Sequence, residues 1–362
     1  MQTRIPCFLM RGGSSKGLYF HPDDLPADEE LRNRVLVAAM GADARQIDGV
    51  GGAHPLTSKV AIVSRSASAD TDVDYLFVQV VVGEGRVDTT PNCGNMLAGV
   101  GPFAIETGLV KAREGQTAVR VRMLNSDNLC ELLVQTPGKV VSYEGDAHID
   151  GVPGTSAPIV CNYLDVAGSA TGSLLPTGNV RDQVDGVAVT CIDNGMPVVV
   201  LRAKDLGISG YESPQELDAN TELKRRLESI RLQIGPRMNL GDVKTKVVPK
   251  MSLIAPARAG GHVCTRTFIP HDCHAAIGVL GAVSVATACI LPGSVTEGIA
   301  TVPGGSTKRM SVEHPTGEFS VTLEIGGTRA HPTVLKAGLL RTARLIFKGE
   351  LLIPAAVWDG RK

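Results

Sequence analysis

Apolar positions along the chain fall mostly into short runs bounded by Gly, Pro and Asp. In the first half "KVAIVSRS", "DYLFVQVVVG", "TAVRVRML" and "CELLVQT" read as β-strands, and "VRVRM" alternates as a half-buried strand does. The second half repeats the style with "GVAVTCI", "MPVVVLRA", "KMSLIAP", "VCTRTFI" and "EFSVTLEI". Helical spacing is rarer. "DEELRNRVLVAAMG" begins after Pro26 and stops at Gly41, and "SPQELDANTELKRRLESIRLQIG" starts at Ser213-Pro214 and stops at Gly235. Two more helices are expected, Gly94 to Thr107 and Cys273 to Ile290, and both are apolar enough to be buried.

The result is two similar halves, each with several strands and one apolar, glycine-studded helix behind a polar turn. Small residues on a buried helix let strands approach closely, as when a sheet wraps around a central helix. The expected domains are 1–184 and 185–362, with a return of the last strand to the first domain left open. No sequence identity links the halves, so the repeat rests on the order of elements.

Composition narrows the partners. The 362 residues suit two domains. Lys plus Arg number 36 against 37 Asp plus Glu, which offers no electrostatic footprint for nucleic acid or a membrane surface. Aromatic residues at 4% leave little to stack on bases. The expected partners are small molecules and a second copy of the chain, as a homodimer. "MQTRIPCFLMRGG" is too short for a signal-peptide core, and Ala275 to Leu291, broken by Gly278 and Gly281, reads as a core helix and not a span. Eight scattered cysteines without a CxxC pair read as reduced thiols in the cytoplasm.

Several residues invite chemistry. Cys93, in "TTPNCGN" ahead of the first apolar helix, is an acid/base thiol or a small residue at a helix start. Lys59, in "LTSKVAIV" behind Ser58, is its partner in proton transfer or a solvated strand end. "MRGGSSKG" offers Arg11, Ser14, Ser15 and backbone N–H groups to a carboxylate, or is a hairpin turn; it is not a Walker A loop. "HDCH" at 271–274 lacks a second ligand pair, so no metal is expected and a polar helix cap is the better reading. "IDNGMPVVV" is a hairpin turn or a polar turn lining a site. No GxSxG or GxGxxG supports a serine hydrolase or a dinucleotide enzyme. Two helix N-termini near one ligand would suit a substrate with several carboxylates.

"MRGGSSKG", "QIDGVGGAHPLTSKVAIV", "DVDYLFVQV", "NCGNMLAGVGPFAIE" and "DNGMPVV" together resemble the PrpF family over essentially the whole chain. The resemblance implies an α+β, diaminopimelate-epimerase-like fold: two domains, each a curved, mostly antiparallel sheet around a central helix, with the active site in the cleft between them. It implies proton transfer on unsaturated di- and tricarboxylates, so a small-molecule tricarboxylate partner and no cofactor. Carried over by motif, the catalytic pair is Lys59 and Cys93, and Gly94, Asn95 and Met96 would offer N–H groups to a carboxylate. Substrate contacts from the second domain are expected from Asn194, Lys250 and His274, with His271 beside them. The family's "RGGTSKG" carries threonine where this chain has serine, which keeps the hydroxyl. Epimerases of this fold have a second cysteine at the other domain's helix; "HAAIGVLGAVS" has none, and Cys273 stands too early. That disfavours a two-thiol racemase. Which of Lys59 and Cys93 is the base stays open, and a non-catalytic carboxylate-binding module is the alternative from another class.

Overall fold

The computed structural model describes residues 1–89, 92–164, 167–328 and 332–361. Thr90 and Pro91, inside the quoted "TTPNCGN" stretch, lie outside the described residues. By contacts the chain divides into two compact units, Met1–Tyr163 with Leu340–Lys362, and Leu164–Leu339. The expected boundary at residue 184 falls later than this division. The reason is local: Asp182–Val184 pairs with Val187–Val189 and so belongs to the sheet that follows it.

The first unit holds β1 (Gln2–Gly12), β2 (Ser15–Phe20), α1 (Glu29–Met40), β3 (Lys59–Arg65), β4 (Val73–Val81), β5 (Arg86–Asp88), α2 (Gly94–Glu106), β6 (Gly115–Met123), β7 (Asn128–Thr136) and β8 (Pro158–Leu164). The strands run in the order β1-β2-β3-β4-β6-β7-β8, with β5 on β4. The pairs β2–β3 and β4–β6 are parallel, and β1–β2, β3–β4 and β6–β7 antiparallel. β6 and β7 bury alternate residues, whereas β3 is buried at five consecutive positions, as a strand covered on both faces must be. Its covers are two helices. α1 seals one side with Val35, Leu36, Ala39 and Met40, in a cluster that includes Val60, Ile62, Val78, Val80 and Trp358. α2 packs against β1, β2, β3, β4 and β7, and is buried continuously from Met96 to Ala104.

The second unit holds β9 (Asp182–Val184), β10 (Val187–Asp193), β11 (Pro197–Arg202), α3 (Pro214–Ala219), α4 (Thr221–Arg237), β12 (Lys250–Ala255), β13 (Val263–Phe268), α5 (Val279–Ile290), β14 (Thr307–His314) and β15 (Gly317–Gly327). A long last strand, β16 (Pro332–Pro354), pairs with β15 up to Leu339 and with β1 from Ala343 onward, which carries the chain from the second unit to the first. α5, buried from Gly281 to Ile290, packs against β10, β11, β14 and β15. α4 buries Leu223, Leu227, Ile230 and Ile234 in the core under β10 to β13, each contributing roughly 1.5–3 kcal/mol of transfer free energy. The architecture is α+β: a mixed, largely antiparallel sheet with few helices.

Two helices differ from expectation. The single helix read over 213–235 is interrupted at Asn220, which ends α3 and caps α4 by accepting from Leu223 N–H at 3.0 Å. The helix expected from Cys273 begins at Val279. Cys273 N–H donates to Asp218, Phe268 and Cys273 form a bridge, and Ala276 N–H donates to His274 Nδ1, so the intervening backbone is committed to a turn.

Candidate active site

In the first unit three pieces converge on the start of α2. The β1–β2 hairpin turns at Gly13-Ser14, between the paired Gly12 and Ser15, and Gly13 has φ +53° as a two-residue hairpin requires. Its glycines are there for close approach: a Cβ on Gly12 would lie 2.6 Å from Asn95 O, and one on Gly17 2.1 Å from Lys59 O and 2.7 Å from Met96 Cε. Asn95 Nδ2 donates to Ser14 Oγ at 3.2 Å, and the Tyr19 hydroxyl donates to Met96 O at 2.6 Å. The hairpin, the first turn of α2 and the first residue of β3 are therefore in contact. Ser15 is 1% exposed and its Oγ has no hydrogen-bond partner among the described residues.

Cys93 is the N-cap of α2, with extended backbone and no capping hydrogen bond from its side chain. The N–H groups of Gly94, Asn95 and Met96 thus have no acceptor in the Cys93 side chain and stand at the positive end of the helix dipole. The Tyr75 hydroxyl reaches Cys93 O at 3.3 Å, and burial holds that phenol far above its ordinary pKa, so it stays a neutral donor. Lys59, 8% exposed, opens β3. Its Nζ donates to Gln79 Oε1 at 2.9 Å and lies 4.8 Å from the centre of the Phe77 ring. Tyr75, Phe77 and Gln79 alternate along β4, so one strand touches both candidate catalytic residues.

Two expected contacts are turned toward the protein itself. Arg11 Nη1 donates to Gly13 O, Thr342 O and Thr342 Oγ1, and Nη2 to Ser156 Oγ. Burial, and then Arg344, lower its pKa. The hydroxyl of Ser58, fully buried, is shared between Gln46 Oε1 at 2.6 Å and His54 O at 2.9 Å. Gln46 also accepts from Ala53 N–H, and a Cβ on Gly51 would strike its amide at 2.1 Å. The glycine-dense "QIDGVGGAHPLTSK" loop is thus wound around one glutamine side chain, which reading the sequence missed. The density of glycine there was the available signal.

In the second unit, Asn194 is buried in the β10–β11 turn against α5: its N–H donates to Ser284 Oγ and its Nδ2 to Thr287 Oγ1. Lys250 begins β12. Burial and the neighbouring Arg231 lower its pKa, and burial together with Lys250 lowers that of His274, so these two bases are brought together. His274 Nδ1 accepts from Ala276 N–H, which leaves Nε2 as the nitrogen that carries the proton in the neutral ring. Cys273 is buried and burial lifts its thiol to about 11, which makes it a poor second acid/base thiol. His271 sits 3.7 Å from Glu228. Among the described residues no three His, Cys, Asp or Glu side chains gather as metal ligands, and no helix is long and apolar enough to cross a membrane.

The family model described as PrpF protein matches residues 2–354. The chain belongs to the PrpF family. It is 59% identical to the 4-oxalomesaconate tautomerase of Pseudomonas putida over 99% of both chains. It is 57% identical to the (4E)-oxalomesaconate Delta-isomerase of Novosphingobium sp., over 96% of this chain and 97% of that one. Among solved structures it is similar to a methylitaconate-delta-isomerase, with a TM-score of 0.87 and 34% identity over 98% and 97% of the two chains. With relatives of these names, this PrpF protein is an isomerase.

Proposed function

We propose that the protein is a cytoplasmic isomerase that interconverts the keto and enol forms of 4-oxalomesaconate without metal or organic cofactor, in the breakdown of gallate and related aromatic acids. The observation that carries the reading is the near-complete, high-identity match to two enzymes named for this substrate, on a chain that keeps Lys59 and Cys93 at the convergence of hairpin, β3 and α2. The finer fold assignment, a diaminopimelate-epimerase-like pair of domains each wrapped on a central helix, belongs to the same reading. The encasement of α2 by β1, β2, β3, β4 and β7 supports it.

The chemistry needs one base and one acid. A methylene between a carbonyl and an alkene has an acidified C–H. The base takes that proton, and the C–H electron pair spreads into the carbonyl as a dienolate. The acid then gives a proton to the oxygen, completing the enol. Lys59 and Cys93 supply the two groups, with Lys59 our preferred base. The N–H groups of Gly94, Asn95 and Met96, uncapped by Cys93, and the hydroxyl of Ser15, without a partner among the described residues, supply hydrogen-bond donors for a substrate carboxylate and for the oxyanion charge that grows.

A second reading, allylic isomerisation of 2-methylaconitate, aconitate or methylitaconate, is favoured by the similarity to the methylitaconate isomerase structure. Substrate profiling separates the two. Purified protein is given freshly prepared keto 4-oxalomesaconate, followed by the ultraviolet band of the conjugated dienol, and then each of the three alternative acids, followed by proton NMR. We expect rapid tautomerisation and slow or no allylic isomerisation. The reverse order would replace the first reading with the second.

A further inference from the structure

Lys59 is held by a residue to which the sequence reading gave no role. Gln79 stands opposite Lys59 in the β3–β4 ladder, and its amide faces two ways. Nε2 lies 3.1 Å from Pro55 O, 3.0 Å from Ser58 O and 3.2 Å from Val80 O, while Oε1 lies 2.9 Å from Lys59 Nζ. Carbonyl oxygens only accept, so the end of the amide that faces them has to be the NH2. The flipped amide would set an oxygen against three carbonyl oxygens and an NH2 against a lysine, which only donates when charged. The surroundings therefore dictate which end meets Lys59.

An oxygen pinned in this way fixes one Nζ–H of Lys59, and with it the directions of the others. It does so in both protonation states, because ammonium and neutral amine each have an N–H to donate. A glutamate here would set an oxygen against the same three carbonyls and lose the lock, and its charge would favour the ammonium form. The neutral amide orients Lys59 without adding that bias.

We propose that Gln79 is the positioning residue of Lys59: the carbonyls of Pro55, Ser58 and Val80 lock its amide, and its amide sets where Nζ takes or gives its proton. The inference rests on the reading of Lys59 as a catalytic residue. The Phe77 ring on β4 also faces Lys59, and Asp88 on β5 pairs with Gln79 in the register beyond it.

The test compares Gln79→Met, which keeps length but neither accepts nor donates as an amide does, with Gln79→Glu, which keeps an oxygen toward Lys59, sets another against the three carbonyls and adds charge. Each is measured for kcat, KM and the pH profile beside Lys59→Met. We expect Gln79→Met to lose about 10- to 100-fold in kcat, as a misdirected group does, with KM within about twofold. We expect Gln79→Glu to move one limb of the pH profile upward by about one to three units. An inactive Lys59→Met, beside folded Gln79 variants that keep wild-type kcat and pH profile, would overturn the positioning role alone. An active Lys59→Met would instead overturn the reading of Lys59 beneath it. The wild type gives a check that does not depend on folding of the variants. In 15N-lysine NMR spectra the Nζ protons of Lys59 are expected to exchange more slowly than those of surface lysines, and exchange at the surface rate would contradict the lock.

Discussion

Ser15 puts the residue scale in its sharpest form. A hydroxyl 1% exposed and without a partner among the described residues costs free energy, so replacing it with alanine should leave the protein as stable or slightly more stable. If that hydroxyl serves a substrate oxygen, Ser15→Ala should lower kcat/KM by about ten- to hundred-fold, the worth of a hydrogen bond to a charged group, with the melting temperature unchanged. Steady-state kinetics and a thermal melt check both halves. At this scale the sequence supplied the candidates for the chemistry, because thiol, amine and glycine-flanked turns announce themselves. It did not carry their orientation. Arg11 looked like a carboxylate ligand and donates to Thr342, over three hundred positions away in the chain, while Gln46 and Gln79 lay inside the quoted motifs without a role of their own. A glutamine's role depends on which carbonyls surround it, and no local pattern encodes that.

At the scale of elements, strands and buried helices were legible, since alternation in β6 and continuous burial in β3 follow directly from how many faces are covered. Helix ends were not. The 213–235 segment keeps helical spacing across a break, because Asn220 uses its side chain to satisfy Leu223 N–H and starts a second helix. Asn220→Ala should cost about 1 kcal/mol by loss of that cap, read as a lower urea midpoint with unchanged slope. Similarly, the start of α5 was set by contacts of Cys273 and His274 with Asp218 and Thr267, distant partners that periodicity cannot see.

For the whole molecule, the scattered cysteines that first suggested a reducing compartment become a statement about pH. Burial lifts Cys161, Cys191 and Cys289 to about 12 and Cys7 to about 11. The folded state therefore keeps protons that the unfolded chain releases from about pH 9. The stability this represents is complete below pH 9 and is lost as pH rises toward 12. Thermal melts from pH 7 to 10.5 should show a flat melting temperature that starts to fall above about pH 9.

The central claim is that Lys59 and Cys93 move the proton. The most direct measurement is deuterium wash-in at the methylene of 4-oxalomesaconate in D2O, by NMR, with wild type, Lys59→Met and Cys93→Ser at matched melting temperatures. Wild type should show rapid exchange and tautomerisation, and each variant should lose on the order of 10² to 10⁴ in the tautomerisation rate, the usual contribution of a general acid or base. Near-wild-type turnover by either folded variant would contradict the claim.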